Sequence, residues 1–84
     1  MKLSVIIPTY NRKDVLKQLL AFLHEGESVS EIIVVDDQST DGTGEMIQRE
    51  FARVCYAKGQ ARGPKYAKQL GLMASTGDVI AFLD

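Results

Sequence analysis

A single cysteine, two prolines, one histidine and no tryptophan stand among the 84 residues. One cysteine excludes an intramolecular disulfide and any zinc site built on clustered thiolates, and it makes a reducing compartment, the cytoplasm, the default expectation. Cys55 itself is expected as a small buried apolar filler. Hydrophobic runs are short. The amino-terminal "VII" stops at Pro8, too early for a secretory h-region, and nothing later is long enough to cross a bilayer. A surplus of one charge is also missing: ten Lys and Arg against eleven Asp and Glu leave a net charge of −1, which argues against a general binder of nucleic acid or anionic membranes. Glycine is absent from "PTYNRKD", so the G-x-G-x-x-G of a dinucleotide-binding dehydrogenase is excluded. A phosphoacceptor receiver domain needs a third strand ending in Asp, and "VCYAKG" does not supply one.

What is present is the composition of an ordinary soluble globular chain, 45% hydrophobic and 25% charged. At this length one small domain, 1–84, is expected, burying roughly 60% of the surface its unfolded chain exposes. "LSVII" at 3–7 reads as a strand closed by Pro8. Val15, Leu16, Leu19, Leu20 and Leu23 fall at helical spacing over 13–24, with Asn11 as a candidate amino-terminal cap and His24 near the carboxyl end, where an imidazole suits the helix dipole. "EIIVVD" is a second strand. The cap-forming Ser39, Thr40 and Asp41 lead into a helix over 43–51 that carries Met46, Ile47 and Phe51 inward. A short strand, "VCYA", precedes the loop "KGQARG". Pro64 then suits the first position of a helix, where a missing N–H costs nothing. That helix presents Ala67, Leu70, Gly71 and Ala74 on one face, Met73 is expected to fill core, and "VIAFL" makes a fourth strand. Alternating strands and helices with continuously apolar strands predict an α/β fold, a three-layer half-Rossmann with a parallel four-stranded sheet in the order 3-2-1-4 and three helices.

"EIIVVDDQSTDGT" runs an apolar strand straight into Asp36 and Asp37. An unpaired buried carboxylate is costly, so the pair is expected at the rim, Asp36 bonding the downstream loop and Asp37 facing a ligand. Open α/β sheets bind ligands beyond the carboxyl ends of their strands, where strand order reverses, and three strands here end there in polar clusters. Tyr10 offers a flat face for a base, Asp37 accepts from a base N–H or sugar hydroxyls, and Arg62, Lys65 and Lys68 gather at a helix amino terminus that favours an anion. Base, sugar and phosphate together describe a nucleotide.

"SVIIPTYNR", "EIIVVDDQSTDGT" and "GPKYAKQLGLMASTGDVIAFLD", in this order and spacing, resemble the amino-terminal donor half of the family-2-type inverting glycosyltransferases of the A-type fold, over nearly the whole chain. The resemblance implies a nucleoside-diphosphate sugar, a UDP-sugar above all, as partner. Pro8, Thr9 and Tyr10 would line the base pocket, Asp37 would contact base or ribose, and Arg62, Lys65 and Lys68 would meet the diphosphate. Asp84 matches the first acid of an Asp-x-Asp-type motif that holds Mg²⁺ or Mn²⁺, an ion acting as Lewis acid on the leaving group. Two departures stand out. Ala61, Lys68 and Gln69 occupy positions where the family has Asn, Arg and Asn, so Lys68 keeps the charge without the planar fork. The 84 residues also stop at Asp84, before a second metal acid, an acceptor half and a general base, so the expectation is a donor half incomplete for catalysis alone.

A function of another class is a non-catalytic α/β module that folds and self-associates. Its motive is "VIAFL" at the sheet edge, an apolar strand open to pairing with a second copy.

Overall fold

The computed structural model describes residues 2–24 and 29–83; Asp84 and the side chain of His24 lie outside the described residues. Element order is β1 (Leu3–Thr9), α1 (Lys13–His24), β2 (Glu31–Asp36), α2 (Thr43–Glu50), β3 (Cys55–Lys58), α3 (Pro64–Ala74) and β4 (Val79–Phe82). The strands form one parallel sheet in the order β3-β2-β1-β4, as the alternation of elements predicts. β1 lies between β2, with Ser4 beside Glu31 and Thr9 beside Asp36, and β4, with Leu3 beside Val79 and Ile6 beside Phe82.

Pro8 does not close β1, which continues through it to Thr9. The physical reason lies in the direction of its backbone. Ile6 O accepts from Leu83 N, on the β4 side, and alternation turns Pro8 the same way, past the last residue paired with β4. The missing N–H therefore falls where the sheet has no partner for it among the described residues.

Successive side chains of a strand alternate between faces, which builds two cores. Val5 and Ile7 with Val34 meet Leu16, Leu20, Met46, Ile47, Phe51 and Val54 under α1 and α2. Ile6, Ile33 and Val35 meet Ala67 under α3. Leu20 and Ile6 are fully buried, each side chain contributing about 1.5–3 kcal/mol of transfer free energy. The close approach of α3 depends on Gly71, since a Cβ there would overlap Ile6 Cγ2 and press on Val35.

Several expectations about individual residues are corrected. Val15 is 63% exposed, because Leu16, Leu20 and Leu23 centre the inward stripe of α1 and Val15 stands about 105° round from it at 100° per residue. Met73 is 83% exposed on the far side of α3 from Ala67, and Ala74 is exposed at the helix's last residue. Cys55 is exposed rather than a buried filler. It shares a sheet face with Ile33, but α3 packs chiefly on β1 and β2, and on this face of β3 Ala57 reaches the α3-side core while Cys55 stays exposed. β3 and β4 also begin or end a residue away from their expected limits, and α2 ends at Glu50 with Phe51 as its cap.

Candidate nucleotide site at the strand ends

The one-residue step between Asp36 and Asp37 is a step from one face of the sheet to the other. Asp36 points under α2 and is 1% exposed, so the expectation that both acids sit at the rim holds only for Asp37. Burial of Asp36 is matched by bonding: the Tyr56 hydroxyl donates to Oδ2 at 2.6 Å, and Ser39 N donates to Oδ1 at 2.9 Å. The loop-bonding role expected for Asp36 is thus present. Burial, followed by the bond to Asp36, holds the Tyr56 phenol above its ordinary range, so it stays a proton donor. No buried polar side chain among the described residues lacks a hydrogen-bond partner.

Asp37 turns to the α3 face. Its backbone N donates to Thr9 O at 2.9 Å, and its Oδ2 accepts from Gly63 N at 3.2 Å. Here the ends of β1 and β2 and the first turns of α3 enclose a crevice of about 440 Å³, lined by Pro8, Thr9, Tyr10, Arg12, Asp37, Pro64, Ala67 and Lys68. Five residues singled out from the sequence meet in it: Pro8, Thr9, Tyr10, Asp37 and Lys68. Tyr10 is 57% exposed and keeps a ring face for stacking.

The other expected cations stand apart from this lining. The Arg62 guanidinium lies 4.8 Å from the Tyr66 ring centroid, a cation–π arrangement, and Lys65 is exposed to solvent. Arg12 takes the second cationic place instead. Its signal in the sequence was its position directly after "PTYN", in the loop that leaves the central strand.

Three loops hold the crevice, and each contains a non-glycine residue in the left-handed region: Asn11 (φ 50°), Gln38 (φ 68°) and Ala61 (φ 57°). Each follows or precedes a residue singled out above, Tyr10, Asp37 or Arg62. Such conformations persist where surrounding bonds over-determine them. Asn11 N donates to Ser39 Oγ at 2.8 Å while Asn11 Oδ1 accepts from Thr40 N at 2.8 Å, so Asn11 joins two loops instead of capping α1. The cap comes from across the chain, where Asp41 Oδ2 accepts from Lys13 N at 3.0 Å. Asp41 also accepts from Thr43 Oγ1, and that bond, with help from Lys13 N, holds its carboxyl below the ordinary carboxylate range.

A second crevice, about 510 Å³, opens on the α2 face beside Asp36, Thr43, Tyr56 and Lys58. Of its two acids, Asp36 is already engaged by Tyr56 and Ser39, and Glu45 shares the lining with a single cation, Lys58, so this crevice lacks an exposed aromatic ring and a second cation. The α3-side crevice has both. For Mg²⁺ or Mn²⁺, which take several hard oxygen donors, it offers one carboxylate, Asp37, and the described residues assemble no group of three His, Cys, Asp or Glu side chains. The described residues therefore do not complete such a site, and Asp84, the expected ligand, lies outside them.

A parallel 3-2-1-4 sheet with an aromatic, a carboxylate and two cations gathered where its strand order reverses is a Rossmann-like half-sheet with a polar crevice at its switch point, and solved glycosyltransferases of the A-type fold share this architecture. Residues 4–84 match the model of glycosyl transferase family 2, and the chain belongs to that family. It is 37% identical over 86 residues to an uncharacterized glycosyltransferase of Rickettsia bellii (strain RML369-C), covering 99% of this chain and 12% of that protein. S. aureus TarS 1–349 in complex with UDP-GlcNAc superposes with a TM-score of 0.83 at 31% identity, over 100% of this chain and 26% of that one. The mannosyltransferase PcManGT of Pyrobaculum calidifontis, in complex with GDP-Man and Mn²⁺, gives a TM-score of 0.83 at 27% identity, over 94% of this chain and 26% of that one. The chain thus spans well under half the length of these relatives.

Proposed function

We propose that the α3-side crevice binds the nucleoside-diphosphate part of a sugar donor, most simply a UDP-sugar, for inverting transfer to an acceptor hydroxyl. The observation that carries this reading is the meeting of Tyr10, Asp37, Arg12 and Lys68 in one crevice of about 440 Å³. In it, Tyr10 stacks on the base, with Pro8 and Thr9 forming the floor beside it. Asp37, an acceptor only when ionised, selects a base edge or ribose that donates hydrogen bonds. Arg12 approaches the phosphates from the loop between β1 and α1, and Lys68 from α3. Arg62 and Lys65 reach the diphosphate only by leaving their present places.

The finer parts of the reading rest on likeness. A TarS structure holding UDP-GlcNAc supports the uridine donor, and the Mn²⁺ of PcManGT supports a divalent ion, for which the reading assigns Asp84 as a ligand. Within these 84 residues the reading is of a donor half, with acceptor binding and the general base supplied from elsewhere. The exposed thiol of Cys55 suits a reducing compartment and supports a cytoplasmic setting.

One observation favours the second, non-catalytic reading. β4 is an edge strand with Val79 and Phe82 exposed, which supports pairing with a second copy of the chain, and that pairing is compatible with donor binding as well. Titration calorimetry with UDP, with and without Mn²⁺, tests the donor reading. Saturable heat is expected, at least tenfold weaker binding is expected in Asp37→Asn, and a folded sample silent at millimolar UDP would overturn it.

A further inference from the structure

Asp37 is the ligand-facing carboxylate of the donor reading, and its orientation is set by a loop that shares no strand or helix with it. Residues 59–63 are tied to the end of β2 at both ends. Gly59 N donates to Asp36 O at 2.6 Å, Gly59 O accepts from Gln38 Nε2 at 3.3 Å, and Gly63 N donates to Asp37 Oδ2 at 3.2 Å. Gly59 is itself buried against the acid: a Cβ there would stand 2.8 Å from Asp37 Oδ1 and 3.2 Å from Asp37 Cα. One carboxylate oxygen is therefore hydrogen-bonded by the loop, and the other is confined by the bare face of a glycine. Between the two anchor points Ala61 adopts its left-handed turn, an arrangement unfavourable for alanine unless both ends are fixed.

We infer that Gly59, fastened by Gln38, is a positioning residue for donor binding: by lacking a side chain it lets the 59–63 loop seat against Asp37 and fix the carboxylate toward the crevice. The inference rests on the donor reading and deepens it. A methyl group at 59 must displace either the carboxylate or the loop, because the Asp37 backbone is pinned to Thr9 O. The base-and-ribose end of the ligand then loses a pre-aimed acceptor, while Arg12 and Lys68 stay where they are. Preorganisation of this kind shows in affinity without a new contact being made or lost.

The test is calorimetry of the whole chain with UDP, uridine and inorganic pyrophosphate, for wild type, Gly59→Ala, Gln38→Asn, Asp37→Asn and the Gly59→Ala/Asp37→Asn double variant. Gly59→Ala is expected to weaken UDP and uridine about tenfold and pyrophosphate hardly at all. Gln38→Asn keeps a residue suited to the left-handed region but shortens its reach to Gly59 O, and about a threefold loss in the same direction is expected. The double variant should bind UDP no more weakly than Asp37→Asn alone, the non-additivity of two changes acting through one group. Unchanged UDP affinity in both single variants, or losses that add to that of Asp37→Asn, overturns the inference. Should Gly59→Ala fail to fold, Gln38→Asn decides by the same criterion. A wild type that binds no UDP overturns the donor reading and this inference together, whereas wild-type binding with indifferent variants overturns the inference alone.

Discussion

Asp36 and Asp37 carry the same charge on consecutive residues, and the pleat of β2 sends one under α2 and the other into the crevice. Their substitutions should therefore fail in different assays. Asp36→Ala leaves the Tyr56 hydroxyl and Ser39 N–H without their acceptor in a buried place, and a loss of about 1–3 kcal/mol in urea unfolding is expected. Asp37→Asn sits at the open crevice and should shift the unfolding midpoint little while weakening UDP. If Asp37→Asn proved the more destabilising of the two, the division of labour would be wrong. Ala61 gives a second prediction at this scale. A left-handed alanine costs roughly 1–2 kcal/mol, and glycine returns part of that through its freer unfolded chain, so Ala61→Gly should stabilise by about 0.5–1 kcal/mol. A decrease in the unfolding midpoint would show that the turn is not strained.

Between elements, two contacts decide how α3 and the strand bases sit. Gly71→Ala would drive a methyl into Ile6 and Val35, and overpacking of this kind should cost about 1–3 kcal/mol by urea unfolding while leaving helix content by circular dichroism unchanged. Below the sheet, Glu31 Oε1 accepts from Ser4 Oγ at 2.7 Å and Thr76 N at 2.9 Å, tying β1, β2 and the segment before β4. These bonds, the Thr76 amide first, hold its carboxyl below the ordinary value of 4.5. A depressed carboxyl contributes stability that is present above that ordinary value and is lost as pH falls through the lower folded value. Unfolding midpoints should therefore decline below about pH 4.5, and Glu31→Gln should flatten part of that decline. An unchanged acid profile in Glu31→Gln would leave Asp41, also held low, as the main source.

The element alternation, the sheet order and the convergence of Pro8, Thr9, Tyr10, Asp37 and Lys68 were legible because each follows from local rules: period, caps, and the carboxyl-end rule for open sheets. What was not legible depends on contacts between distant segments. The burial of Asp36 needs Tyr56 twenty residues on, and the exposure of Cys55 needs the knowledge that α3 packs chiefly on β1 and β2. Arg62 was read as a crevice cation from its place at a helix start, but a ring four residues later, Tyr66, takes it. Asn11 looked like a cap because its spacing allows one, and the actual cap, Asp41, lies in another loop.

At the scale of the molecule, both edges of the sheet are short strands, and β4 exposes Val79 and Phe82 along its length. Self-association through this edge should rise with concentration in light scattering, and a charge on the strand, Phe82→Lys, should suppress it. A monomer at every concentration would rule the edge out as an interface. The shape of the whole also separates the two ends of the sheet: the crevice lies at the carboxyl ends of the strands, and the Glu31 tie lies at their amino ends. Amide chemical-shift mapping by NMR during a UDP titration reads this polarity residue by residue. Saturable shifts are expected at Thr9, Tyr10, Asp37, Gly63, Ala67 and Lys68, with Glu31, Arg53 and Thr76 unmoved. Shifts gathered around Glu31 and Arg53, or confined to the α2-side crevice at Thr43 and Lys58, would contradict it.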